Sequence, residues 1–159
     1  MTLQQKPDNS TLQAISDTGL MPDDPSQDIR GHSVIDRAGE KVGHVSDLFV
    51  DKAERKVRML EISTGGFLGI GERHALVPVD AIAKISGMDV HIDQTREHVA
   101  KSPAYDPALV LAPPREYWEP FYGYYGLPPY WDNGYAYPQF PSFANRAGSD
   151  DQSLRKRGD

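Results

Sequence analysis

The stretch KVGHVSDLFVDKAERKVRMLEIST, Lys41 to Thr64, decides the fold. Its second half, Val57 to Thr64, sets Leu60 and Ile62 against Met59 and Glu61, the period-two pattern of a strand. In its first half, Lys41 to Asp51, Leu48 and Val50 share one face. Val42 and Val45 join that face only if the strand bends or bulges between Gly43 and Asp47. The charged residues Lys52 to Lys56 make the turn between the two runs. The pattern predicts an antiparallel hairpin with one bent strand, and such a bend lets a small sheet curl toward closure.

The flanking residues extend the sheet. Ser33 to Asp36 reads as a short strand, turned into Lys41 by Arg37-Ala38-Gly39-Glu40, where glycine supplies the permissive backbone. His74 to Val79 alternates Ala75, Val77 and Val79 with His74, Leu76 and Pro78, and Pro78 places this strand at an edge. Ala83 to Ser86 and Asp89 to Asp93 follow, joined at Gly87, and Gln94 to Lys101 is expected to form one helical turn capped by Thr95. Six strands in about 65 residues describe an all-β fold, a small barrel of short strands.

The rest of the 159 residues divides by composition. Residues 1–27 are polar and interrupted by Pro7, Pro22 and Pro25, and read as an extended or flexible leader. Residues 28–106 hold the barrel, residues 107–143 an aromatic Pro/Gly-rich extension, and residues 144–159 a polar tail expected to be disordered. A formal charge of -6 argues against nucleic acid as a partner. The absence of cysteine excludes disulfides and thiolate zinc sites. With no apolar segment near the roughly 20 residues that span a bilayer, the expected location is cytoplasmic, with a peripheral place at the inner face of a membrane left open.

Several spaced blocks carry a family resemblance. Asp28-Ile29-Arg30-Gly31, the Gly39 turn, Val42-Gly43-His44-Val45, Asp47-Leu48-Phe49-Val50-Asp51, Leu76-Val77-Pro78-Val79-Asp80-Ala81-Ile82 and Ser102-Pro103-Ala104-Tyr105-Asp106 together resemble the PRC-barrel family. That family takes its name from the cytoplasmic domain of the photosynthetic reaction centre H subunit, and it also supplies the C-terminal domain of a ribosome maturation factor. The loop Gly65 to His74 together with the Tyr-rich extension looks most like the stand-alone bacterial type. The resemblance implies a barrel that docks on other proteins, without catalysis. The chain departs from the H subunit in lacking its membrane helix, and from the maturation factors in lacking their N-terminal domain.

Two sets of residues are candidates for function. Phe67, Leu68 and Ile70 sit in a Gly-rich loop without phosphate-loop spacing. They either cap the open barrel end or meet a partner as an apolar patch. In the extension Tyr122, Tyr124, Tyr125, Tyr130 and Trp131 belong to an aromatic run without Lys or Arg between Tyr117 and Phe143. Stacking on single strands needs a cationic groove as well, so nucleic acid is not expected there. The prolines, Pro120 among them, are expected to exclude a continuous helix. The extension either wraps the barrel, adding burial to a small core, or serves as an adhesive segment.

The second set is weaker. His32, His44, His74, His91 and His98 lack metal-ligand spacing, so no metal and no cofactor is expected. By resemblance to the H subunit, His44 with Asp47, or His74 with Glu72 and Asp80, are candidates for proton access, because histidine titrates near neutral pH. Exposed polar residues on strands and turns give the plainer reading. No nucleophile, base and oxyanion set stands out, so no enzyme is expected. The expected function is a protein-binding adaptor, with self-association left open. The alternatives are an H-subunit-like accessory of a membrane photosynthetic or electron-transfer complex, and a ribosome-associated maturation module.

Overall fold

The computed structural model describes residues 12–19, 21–22, 24–65, 72–103, 105 and 115–138. Seven strands and three short helices are placed among them. They are β1 (Leu12–Ala14), α1 (Ile15–Thr18), β2 (Ser33–Ile35), β3 (Lys41–Asp51), β4 (Val57–Gly65), β5 (Glu72–Pro78), β6 (Ile82–Ser86), β7 (Asp89–Ile92), α2 (Arg96–Ala100) and α3 (Arg115–Tyr124). The fold is all-β. The strand order is β5-β4-β3-β2-β7-β6, with β1 beside β3. Pairings are antiparallel except β2 with β7.

The sheet curls as a barrel but is not closed by strand pairing. Its two ends, β5 and β6, are joined by the turn Val79–Ala81. Arg73 of β5 donates to the carbonyls of Ala100 (3.2 Å) and Ser102 (2.8 Å), holding the end of α2 against the open margin. Thr95 caps α2, its hydroxyl accepting from the His98 N–H at 3.0 Å. Pro78 ends β5 at the sheet's edge, where its missing N–H interrupts no ladder.

The bend expected in β3 is a bulge at Ser46. Val45 pairs with Ile62 and Asp47 with Glu61, so Ser46 is the extra residue and Val45 and Leu48 both face inward. A second bulge lies at Arg58, between Met59, which pairs with Phe49, and Val57, which pairs with Val50. Each bulge resets the alternation. Val42, Val45, Leu48, Val50, Val57, Leu60 and Ile62 thus enter the barrel interior with Val77, Ile85, Val90 and Ile92.

Both faces of the β3-β4-β5 sheet are buried. The outer face carries an apolar row, Phe49, Met59 and Leu76, packed with Leu12, Ala14, Trp118, Phe121 and Tyr122. Two departures from the sequence reading complete this layer. Leu12–Ala14, expected within an extended leader, pairs with Asp51, Val50 and Phe49 at the far end of β3. Gln27, also placed in the leader, is buried, its amide oxygen accepting from the Val57 N–H at 3.2 Å.

The second departure is α3, which forms despite Pro120. Trp118, Phe121, Tyr122 and Tyr125 recur at i, i+3, i+4 and i+7 and are all buried, whereas Glu116, Glu119 and Pro120 are exposed. The carbonyl that loses its donor to Pro120 belongs to Glu116, an exposed residue on the solvent side of the helix, and the buried stripe outweighs the cost. The helix ends in a Schellman motif. Gly126 adopts φ 68°, Leu127 N–H reaches the Tyr122 carbonyl at 3.0 Å, and Gly126 N–H reaches that of Gly123 at 3.0 Å. The described part of the extension wraps the barrel; the rest of residues 107–143 and the tail 144–159 lie outside the described residues.

Trp118 is fully buried against Phe49, with ring centroids 5.3 Å apart. Trp118→Ala is expected to cost about 3–5 kcal/mol. Urea unfolding should show the midpoint falling at an unchanged slope, and a midpoint equal to the parent's would mean that α3 does not support the sheet.

Candidate functional site

The apolar row on the outer face is flanked by two polar groups of different character. On one side Asp47 of β3, Glu61 and Ser63 of β4 and His74 of β5 lie in register. Asp47, Glu61 and Ser63 are buried. His74 Nδ1 stands 2.5 Å from Glu61 Oε2 and 3.4 Å from the Ser63 hydroxyl. Asp47 accepts from the N–H of Ser16 at 3.3 Å, from the Ser16 hydroxyl, and from its own neighbour Leu48 N–H at 2.9 Å, which fastens α1 to the sheet. Burial raises the pKa of Glu61; His74 opposes this and the Asp47 carboxylate adds to it.

On the other side the bulge aims Arg58 along the outer face, where it is buried. Its Nε donates to Asp51 Oδ2 at 2.7 Å and its Nη2 to Glu54 Oε1 at 3.3 Å. The rings of Tyr130, Tyr137 and Tyr135 surround the guanidinium at 4.5, 5.1 and 5.9 Å. Burial works against the charge, but Asp51, by attraction and hydrogen bonding, more than reverses it, so the pKa of Arg58 is raised. Tyr137 donates to the Val57 carbonyl and Tyr135 to Asp80 Oδ2, both at 2.8 Å. Desolvation raises the pKa of Asp80, which the Tyr135 hydrogen bond opposes.

Between this box and the start of α3 lies a cleft of about 220 Å³, lined by Asp51, Ala53, Glu54, Arg58, Arg115, Tyr130 and Trp131. Arg115 lies over the Trp131 ring at 5.3 Å. The cleft therefore offers two guanidinium groups and two aromatic rings at the seam between the barrel and the strap, residues 125–138, that follows α3.

The residues singled out from sequence fall in several places. Phe67, Leu68 and Ile70 lie outside the described residues, as does the side chain of Glu72, whose backbone opens β5. Tyr122 and Tyr125, among the candidates for partner contact, are buried in the chain's own core, because the helix turns them onto the sheet. Burial pushes the Tyr125 hydroxyl up to about 12. Tyr124 stacks on His98 at 4.2 Å and donates to the His98 carbonyl at 2.6 Å. Tyr130 and Trp131 are half-buried at the cleft.

The proposed histidine pairings are rearranged. His44 is exposed on β3, and Asp47 turns to Ser16 rather than to it. His74 faces Glu61, and Asp80 faces Tyr135. Arg58, Glu61, Ser16 and Tyr135 were missed. Their signal was present, since a charge inside an apolar run such as Val57 to Ile62 requires either solvent or a partner, and here it finds a partner. Among the described residues no His, Asp and Glu group is arranged to hold a metal ion, and no helix is long and apolar enough to cross a membrane.

The family model for the PRC-barrel domain matches residues 22–99. Those residues belong to the PRC-barrel family. The match begins ahead of the 28–106 boundary drawn from sequence, and α3 and its strap lie beyond it. A search of curated proteins gave no match. The PRC barrel thus supplies the inner core, the bulged β3-β4 hairpin and both polar groups on its outer face, while α3 and the strap cover that face.

Substitutions in each group test these assignments. Arg58→Met leaves Asp51 buried without its cation and should cost roughly 3–5 kcal/mol, much of it recovered when Asp51→Leu is added; a double variant no more stable than the single in urea would contradict this. For Glu61 the folded pKa lies above the unfolded one. The stability tied to its proton is therefore present in acid and lost as pH climbs through the folded value. Glu61→Gln should flatten the decline that sets in as pH rises above the ordinary carboxylate range, and parallel stability curves for variant and parent would count against the assignment.

Proposed function

We propose that this PRC-barrel chain is a non-catalytic adaptor that binds another protein at the seam between barrel and strap. The observation that carries this reading is the cleft of about 220 Å³ walled by Arg58, Arg115, Tyr130 and Trp131. Trp, Tyr and Arg are the residue types that dominate binding energy at protein contacts, particularly when set in a formed concavity. The floor is rigid, because Arg58 is fixed by Asp51 and by three tyrosine rings. A preorganised surface loses little entropy on binding.

A second reading has its own support. The Asp47, Glu61 and His74 group, with Glu61 raised in pKa, is suited to hold a proton, as an accessory of a membrane electron-transfer complex would require. Crosslinking in native cells followed by identification of co-purified proteins separates the two. The adaptor predicts a defined protein partner lost with Trp131→Ala and retained with His74→Ala. Membrane redox subunits lost with His74→Ala favour the accessory, whereas turnover abolished by His44→Ala or Asp47→Asn would overturn the non-catalytic assignment.

A further inference from the structure

The turn between β3 and β4 holds a backbone feature that folding alone does not explain. Arg55 has φ 55°, the one non-glycine positive φ among the described residues. The turn is closed by Arg55 N–H to the Asp51 carbonyl (2.9 Å) and Asp51 N–H to the Lys56 carbonyl (3.1 Å), and Asp51 Oδ1 accepts from Glu54 N–H at 2.6 Å. The left-handed position of a hairpin loop suits Gly or Asn, and a long side chain there is strained. Strain kept in a surface turn points to a use for the side chain.

The charges around it point the same way. Asp51 is buried and neutralised by Arg58, and Glu54 is drawn to Arg58 and to Lys56, 3.3 and 3.4 Å away. The turn's carboxylates are thus engaged internally. Lys52 and Arg55 are exposed, and Arg115 stands at the cleft wall. In a chain of net charge -6 this corner is locally cationic, with Lys52, Arg55, Lys56 and Arg58 against Asp51 and Glu54.

We propose that this corner and the adjoining cleft bind an acidic, Asp/Glu-rich segment of a partner protein. The inference rests on the adaptor reading and names its partner's chemistry. Lys52 and Arg55 would pair with successive carboxylates along the segment, while Tyr130 and Trp131 receive one of its side chains in the cleft. A protein fits better than an anionic membrane. The exposed large apolar side chains among the described residues are Met21 and Met88, neither of which lines the cleft.

The test uses the full chain and a fluorescent peptide of alternating Glu and Asp around one Tyr, with a Gln/Asn counterpart and with phosphatidylcholine vesicles lacking or containing phosphatidylserine. The acidic peptide should bind, the neutral one should not, and affinity should fall as salt rises. Lys52→Glu with Arg55→Glu should weaken binding by at least about tenfold. Arg55→Gly separates binding from folding, since it relieves the backbone and should melt no lower than the parent while binding the peptide more weakly. Failure of the peptide to bind, binding by Arg55→Gly and by the charge-reversed variant as tight as the parent's, or binding only to phosphatidylserine vesicles would overturn the proposal. If the crosslinked protein partner survives charge reversal, the adaptor reading stands and the acidic-segment inference falls.

Discussion

The architecture depends on the antiparallel pairing of β3 with β4, a hairpin whose two faces are both buried. An antiparallel sheet in a small domain usually leaves one face to water. Here the inner face fills the barrel and the outer row Phe49, Met59 and Leu76 must be covered from outside. Each large side chain so buried contributes about 1.5–3 kcal/mol, which is large against the stability of a small domain. The cover comes from both ends of the chain, β1 and α3, so the barrel and its flanks form one folding unit.

Covering that face brings a second constraint. The outer face bears Asp47, Asp51, Arg58 and Glu61 as well as the apolar row, and a charge removed from water must be paired. The two bulges solve this differently. The one at Ser46 sets Asp47 opposite Glu61, two like charges relieved by Ser16 and His74. The one at Arg58 turns a cation toward Asp51 and beneath three tyrosines. The same face therefore has one edge that favours holding a proton and another where charge is fixed, and the strap is fastened at the fixed edge.

These arrangements explain what was legible in the sequence. The six strands from Ser33 to Ile92 were readable because local alternation and turn chemistry agree there, and both the Pro78 edge and the Thr95 cap follow from backbone rules alone. β1 was not legible, since three residues, Leu12 to Ala14, carry too little periodicity and owe their strand to the far end of β3. In α3 the spacing of Trp118, Phe121, Tyr122 and Tyr125 was visible, but Pro120 argued against it, and only the burial of that stripe decides the balance. Of the candidate site, Tyr130 and Trp131 were found as aromatic residues. Glu61 was read only as a member of the alternation and Arg58 was given no role, because their cover lies far away in sequence.

The position of the cleft follows from the same cover. A strap that met the sheet with apolar contacts alone would seal against it, as Trp118, Phe121 and Tyr122 do over Phe49 and Met59. Past Gly126 the chain instead crosses the Arg58 bulge, where a planar guanidinium and its carboxylates hold rings over one face and leave an edge open. The opening between Tyr130, Trp131 and the β3-β4 turn is thus a consequence of covering a charge with aromatic rings. A rigid concavity beside exposed cations arises at the one part of the outer face where hydrophobic burial gives way to a fixed charge.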